Sequence, residues 1–240
     1  SLNWIADFRD PWVNIDYHSQ LKLNEKSKNR HEELELSVLN EADQILVTSF
    51  KTAKEFSNKT KKPVEVITNG YDEAEDLDVD LSEAFSLVHV GSLLSKRNPI
   101  NLWKSLKELL ETNEHLRQFL ELHFVGKVSK VVLRSIEEHG LKDYIYLDGY
   151  LPHLEAIKAQ KSAQLLMLIE ADNTLKQGII PGKLFEYLMA KRPIMAIGPE
   201  NWDVQEIIDE TKSGSCFNYN EKERLQASIQ NAFEDFLQGK

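Results

Sequence analysis

The sequence predicts an α/β doubly wound fold built on a parallel sheet. Three observations predict it. Apolar runs of strand length recur along the whole chain, and most are continuous rather than alternating, as in strands buried on both faces of a parallel sheet. Segments of helical period separate these runs, the pattern of successive βαβ crossovers. One acidic stretch breaks the composition in two.

Taken in order, "LNWIAD" (2–7) reads as a strand already under way at the first residue, followed by "FRDPW" with the turn-forming Pro11. A helix is expected near 24–41, then a strand at 44–49 ("QILVTS"), a helix near 50–58 and a strand at 64–68 ("VEVIT"). The stretch "YDEAEDLDVDLSEA" (71–84) carries seven acidic residues and no basic one, and reads as a solvated linker. Beyond it lies a unit read as six-stranded, in which five strand candidates are placed, at 85–91 ("FSLVHVG"), 120–126 ("LELHFVG"), 145–149 ("IYLDG"), 163–169 ("AQLLMLI") and 193–198 ("PIMAIG"). Helices are expected near 98–116, 129–139, 153–161, 182–191, 203–210 and 221–237. This gives domain boundaries at 1–71, 72–84 and 85–240. The chain begins with Ser1 rather than Met, and is expected to be a fragment.

Composition narrows the function. A chain of 240 residues fits one large or two small domains. The formal net charge of −10, from 39 acidic and 29 basic residues, argues against a general nucleic-acid binder, which needs a cationic face. The single cysteine, Cys216, excludes an intrachain disulfide framework and suits a reducing compartment. The seven histidines show no metal-ligand spacing, so no metal is expected. No apolar run approaches the ~20 residues needed to span a bilayer. The locally basic "KLNEKSKNRH" (22–31) reads as a solvated helix face.

Ligands of doubly wound sheets bind at the carboxyl ends of strands, so the loops there are the place to look. After 85–91 come Lys96 and Arg97, just before a helix. After 120–126 comes Lys127. After 163–169 comes "EADNTLKQGIIPGKLFE", in which Lys183 opens a helix. Backbone amides at a helix start already favour an anion, and Lys96, Arg97 and Lys183 added to them make a diphosphate site. Glu186, one turn in, would repel phosphate but can accept hydrogen bonds from both hydroxyls of a ribose. The bland alternative is a surface pair of Lys183 and Glu186 at i,i+3, worth ~0.2–0.5 kcal/mol.

Several of these pieces occur in the order seen in retaining GT-B glycosyltransferases. They are "TNGYD" (68–72), the acidic linker, "HVGSLLSKRNP" (89–99), "HFVG" (123–126), "LDGYLPHLEAI" (147–157) and "PGKLFEYLMAKRPIMAIGP" (181–199). From "DFRDPW" almost to its end, the chain resembles glycosyltransferase family 4, the group 1 transferases. The resemblance implies two Rossmann-like domains facing across a cleft, with most of the N-terminal one outside this sequence. It implies transfer of a hexosyl unit from a nucleoside diphosphate sugar to an acceptor hydroxyl, with retention, in polysaccharide or glycan synthesis. No cofactor is implied beyond the donor. The partners are the donor and a glycan or lipid-linked acceptor, in the cytoplasm, with membrane contact through the missing N-terminal region.

Carried over by position, Glu186 matches the family's ribose glutamate. Arg97 or Lys96 matches its basic diphosphate residue, and Lys183 sits beside the phosphates. Ser92 lies where many members carry an arginine. Gly126, Tyr150 and Leu151 fall in loops that line the base through backbone groups. Asp7, Arg9 and Asp10 are acceptor-side candidates. The catalytic residues are not assigned, and the fragment by itself is expected to be inactive. The family's first motif glutamate falls at Gly178, with Glu170 further upstream as a substitute if the loop is rearranged. Two other readings stay open: a GT-B-fold sugar-nucleotide epimerase or hydrolase, and a non-catalytic nucleotide-sugar-binding relative.

Overall fold

A computed structural model describes residues 2–71 and 77–239. Every strand pairs parallel with its neighbours, and the strands fall in two sheets. The first holds β1 (Ile5–Phe8), β2 (Gln44–Val47) and β3 (Val64–Val66) in the order β1-β2-β3. Helices α1 (Glu25–Glu41) and α2 (Phe50–Ser57) follow β1 and β2. Asn24 and Ser49 cap these two helices, each side chain accepting the backbone N–H three residues on. Leu39, Ala42, Ile45, Val47 and Phe56 form the small core of this part.

The second sheet holds β4 (Phe85–Val90), β5 (Leu120–Val125), β6 (Ile145–Gly149), β7 (Leu165–Ile169), β8 (Ile194–Gly198) and β9 (Gly214–Asn218). Its order is β6-β5-β4-β7-β8-β9, so the chain winds outward one way from β4 and then the other way from β7. This is the doubly wound arrangement, and its reversal lies between β4 and β7. The expected fold class is therefore the one observed. The connecting helices are α3 (Ile100–Thr112), α4 (Glu114–Phe119), α5 (Lys130–Glu138), α6 (His153–Ser162), α7 (Gly182–Ala190), α8 (Asp203–Thr211) and α9 (Lys222–Leu237). Trp103 and Leu106 of α3 and Leu225, Ile229 and Phe233 of α9 join Phe85, Leu87, Met167 and Ile169 in one core.

Three elements differ from the sequence reading. The single helix expected over 98–116 is two, because Asn113 leaves helical geometry (ψ 104°) and caps the second with its own side chain. The strand β9 was not among the expected runs. The part of the acidic stretch at 77–84 keeps Asp78, Asp80 and Glu83 exposed, as expected, but is also tied down: Lys161 Nζ donates to the Leu77 carbonyl at 2.8 Å, and Ser82 N–H to the Ser162 carbonyl at 2.9 Å. The rest of the expected linker, 72–76, lies outside the described residues.

The chain forms two compact units. One joins Ser1–Gly70 with Asn173–Gly182 and Asn201–Asp203; the other holds Tyr71–Asp172, Lys183–Glu200 and Val204–Lys240. The sequence reading grouped 173–182 and 201–203 with the second domain. They pack instead in the first unit, where the Asp203 carboxylate accepts the Lys51 N–H at 2.9 Å in the first turn of α2. Trp202 Nε1 donates to the Ile179 carbonyl at 2.6 Å.

Candidate functional site

The loops after β4 and β7 flank the point where the strand order reverses. Backbone hydrogen bonds carry the β4 loop onward against the β5 loop. Gly91 N–H donates to the Val125 carbonyl at 2.7 Å, Leu93 N–H to Lys127 at 2.9 Å and Ser129 N–H to Leu93 at 2.9 Å. The two loops touch through glycines with left-handed backbones, Gly91 at φ +110° and Gly126 at φ +116°. A methyl group on Gly126 would stand 2.8 Å from the Gly91 carbonyl oxygen, and one on Gly91 would stand 2.8 Å from Lys183 Nζ. Both positions need glycine for conformation, and Gly126 also for space, since it meets backbone whereas the Lys183 amine beside Gly91 can move aside.

Lys183 therefore lies over the β4 exit. Burial, then the Arg97 charge, pushes its ammonium down to about 8, while Glu170 and Glu186 pull the other way. No ion pair joins Lys183 to Glu186 among the described residues, so the surface-pair alternative is not what the structure adopts. Tyr187, one turn further along α7, is fully buried. Its hydroxyl accepts the Val90 N–H at 2.9 Å and fixes α7 against β4.

Arg97 and Glu170 meet across the switch point. Arg97 Nε donates to Glu170 Oε1 at 3.0 Å and Nη2 to Oε2 at 2.8 Å, a two-point ion pair. Arg97 Nη1 reaches the Ser92 carbonyl at 3.4 Å, so Ser92 presents its backbone to the arginine. Of the two basic neighbours, Arg97 is turned inward, while Lys96 is exposed. The sequence reading missed this pairing, since nothing local links residues 73 positions apart.

Glu186 is half-buried and its Oε2 accepts from Gln160 Nε2 at 3.0 Å. Gln160 is itself buried, with its Oε1 unpartnered. Gly126 gives its N–H to the Gly149 carbonyl at 2.6 Å, so that amide is spent within the sheet. Tyr150 is 78% exposed, and it and Leu151 follow β6, which β5 separates from β4. The structure thus brings Lys183, Arg97 and Ser92 together, and leaves Tyr150 and Leu151 two strands away.

In the first unit, a cavity of about 240 Å³ opens beyond the carboxyl ends of the small sheet, lined by Asp7, Arg9, Thr48 and Asn69 among others. Arg9 Nη2 donates to Asn69 Oδ1 at 2.5 Å, and Thr48 Oγ1 donates to the Arg9 carbonyl at 2.7 Å. Asp10 is exposed beyond β1. Gly178 packs against α2: a methyl group there would lie 3.1 Å from Ser49 Oγ and 3.3 Å from Lys51 Cβ. A side chain there requires Ser49 and Lys51 to give by a few tenths of an ångström, and Glu170 is held by Arg97. A larger cavity of about 650 Å³ lies at the amino-terminal ends of β8 and β9, lined by Lys191, Arg192 and Lys212, away from all of these residues. Among the described residues no cluster of His, Cys, Asp and Glu could hold a metal, and no helix is long and apolar enough to cross a membrane.

The fold is that of the GT-B glycosyltransferases, with Rossmann-like sheets. Among solved structures, a sucrose-phosphate synthase from Thermosynechococcus elongatus matches with a TM-score of 0.68 at 14% identity, over 99% of this chain and 60% of its own. WaaG, a glycosyltransferase involved in lipopolysaccharide biosynthesis, matches with a TM-score of 0.66 at 13% identity, over 96% of this chain and 65% of its own. The pneumococcal O-GlcNAc transferase GtfA, in complex with UDP and GlcNAc, matches with a TM-score of 0.60 at 15% identity, over 86% of this chain and 41% of its own. The chain thus spans less than two thirds of these proteins. No protein-family model and no curated protein matches the sequence.

Proposed function

We propose that the chain is the donor-binding part of a retaining glycosyltransferase that moves a hexosyl unit from a nucleoside diphosphate sugar to an acceptor hydroxyl. The observation that carries this is the placement of Lys183, at the start of α7 and over the β4 exit, beside the Arg97–Glu170 pair at the switch point of a doubly wound sheet. The diphosphate lies there, against Lys183 and the first amides of α7, with Ser92, Lys96 and Arg97 around it. As the glycosidic bond breaks, charge gathers on the leaving diphosphate, and these fixed donors stabilise it without a metal. Glu186 takes the ribose hydroxyls, exchanging its bond from Gln160 for them. Gly126, Tyr150 and Leu151 are proposed for the base. Asp7, Arg9 and Asp10 are proposed for a glycan or lipid-linked acceptor. The cytoplasm is the proposed compartment and glycan or polysaccharide synthesis the proposed role.

A second reading, a non-catalytic nucleotide-sugar-binding relative, is favoured by one observation: the position of the family's first glutamate is Gly178, closely packed against Ser49 and Lys51. Thermal shift against uridine, guanosine and adenosine diphosphates tests the binding site, since binding stabilises by RT ln(1 + [L]/Kd). At least one should stabilise the parent, and Lys183→Ala should abolish the shift. Glu186→Gln should lose ~1–3 kcal/mol of affinity for that ligand and almost none for its 2′,3′-dideoxy analogue. Equal losses for both sugars would remove Glu186 from the ribose. Release of nucleoside diphosphate from donor sugars by a longer chain that includes this one, only in the presence of acceptor, separates transfer from mere binding.

A further inference from the structure

The carboxylate of Glu170 already occupies the ion-pairing edge of Arg97, at the place assigned above to a diphosphate. We propose that Glu170 is an internal counter-ion that holds down the affinity of this site for diphosphate, a proposal that rests on the donor-site reading. Four contacts fix the residue. Oε1 and Oε2 accept from Arg97 Nε and Nη2 at 3.0 and 2.8 Å. Oε1 also accepts the Ala171 N–H at 2.8 Å, and the Glu170 carbonyl accepts the Tyr219 hydroxyl at 2.9 Å. Its side chain is 4% exposed, against 25% for Arg97. A carboxylate so anchored is part of the site's architecture, not a loose surface partner.

The consequence is electrostatic. A guanidinium has five N–H groups, so Arg97 keeps some for a ligand, but its charge is cancelled within the protein. An arriving diphosphate then meets Lys183 as the inward cation outside the pair, itself close to the Glu170 and Glu186 charges, with Lys96 exposed. Ser92 adds no charge where an arginine would double it. A site with one effective inward cation holds the leaving nucleoside diphosphate less tightly than a site with two, and so favours its release after transfer. The same contacts permit a different role, in which Glu170 only orients Arg97. Charge should prevail over orientation: one unit of charge in a part-buried site acts on every charge of a polyanion, whereas lost orientation affects one side chain.

Substitution separates the two. Glu170→Gln removes the charge and keeps the size; Glu170→Asp keeps the charge and withdraws the carboxylate by one methylene. Titration with inorganic diphosphate and with uridine, guanosine and adenosine diphosphates should show Glu170→Gln binding at least tenfold tighter than the parent. Glu170→Asp should bind as the parent does, and the parent nucleosides should bind all three proteins alike. Weaker diphosphate binding by both variants, with the parent still binding, overturns the counter-ion and leaves an orienting residue. If Glu170→Gln does not fold, Glu170→Ala, which also removes the charge and leaves Arg97 in place, decides: diphosphate binding at least tenfold tighter than the parent supports the counter-ion, and unchanged or weaker binding overturns it. Absence of diphosphate binding by the parent and every variant would instead overturn the donor-site reading itself.

Discussion

His89 is wholly buried in β4, and its Nδ1–H donates to the Met167 carbonyl at 2.9 Å while Nε2 has no partner. Burial first, and then the nearby Lys183 charge, push its ring down to about 3, so the folded protein keeps it neutral. An unfolded chain takes up that proton near pH 6.5. The contribution of His89 to stability is thus intact above pH 6.5 and falls by up to ~1.4 kcal/mol per unit as the pH drops from 6.5 towards 3. Urea unfolding of parent and His89→Gln at pH 7 and 5 checks this: the variant should lose less stability on acidification. Lys183 runs in the alkaline direction. Its ammonium is lowered to about 8 from 10.5, so between those values the unfolded chain holds more protons and the unliganded fold gains stability as the pH rises. Diphosphate binding needs the charged form and should weaken through pH 8, approaching tenfold per unit. Binding measured at pH 7 and 9.5 should show that loss, and a pH-independent affinity would remove Lys183 from the diphosphate.

Elements were legible in proportion to how far their own residues determine them. β7 and β8 are buried at all five positions, and their unbroken apolar runs read directly as interior parallel strands. β9, "GSCFN", has one buried residue, Phe217, and no apolar run, since an edge strand is held by its ladder to β8 rather than by its side chains. The break between α3 and α4 was hidden because Leu109, Leu110 and Leu116 keep helical spacing across Asn113, whose capping bond to Leu116 N–H is the deciding interaction. At the site, Lys183 and Arg97 were legible as cations following strands. The partner of Arg97 was not, because Glu170 reaches it only through the adjacency of β4 and β7. The contact between the β4 and β5 loops is of the same kind, and it is testable. Gly126→Ala combines a left-handed backbone with a 2.8 Å approach to the Gly91 carbonyl, and should cost ~1–3 kcal/mol in chemical denaturation, with lost diphosphate binding as the β4 exit shifts. A variant as stable as the parent would show that this loop yields easily.

At the scale of the whole molecule, the two units are not two consecutive stretches of chain. Residues 173–182 and 201–203 leave the second unit, pack in the first and return, so the first unit is built from both sides of the acidic stretch. The interactions that recruit them are specific: Asp203 accepting the Lys51 N–H, Asn173 Nδ2 donating to Asp16 Oδ1 at 2.7 Å, and the close approach of Gly178 to Ser49 and Lys51. A protease that cuts after acidic residues should nick the chain first within 72–84, where carboxylates are densest and basic residues absent. If the acidic stretch were the only tie between two separate domains, the nicked fragments would part. Because the segment around Gly178 belongs to the first unit, they should instead elute together in gel filtration under native conditions and separate only in denaturant. Gly178→Glu tests the contact itself. Its side chain would press on Ser49, which caps α2, and on Lys51 from within tight contact distance, so the nicked variant should dissociate where the nicked parent does not. Dissociation of the nicked parent, or a nicked Gly178→Glu that stays whole, would show that Gly178 does not hold the first unit together.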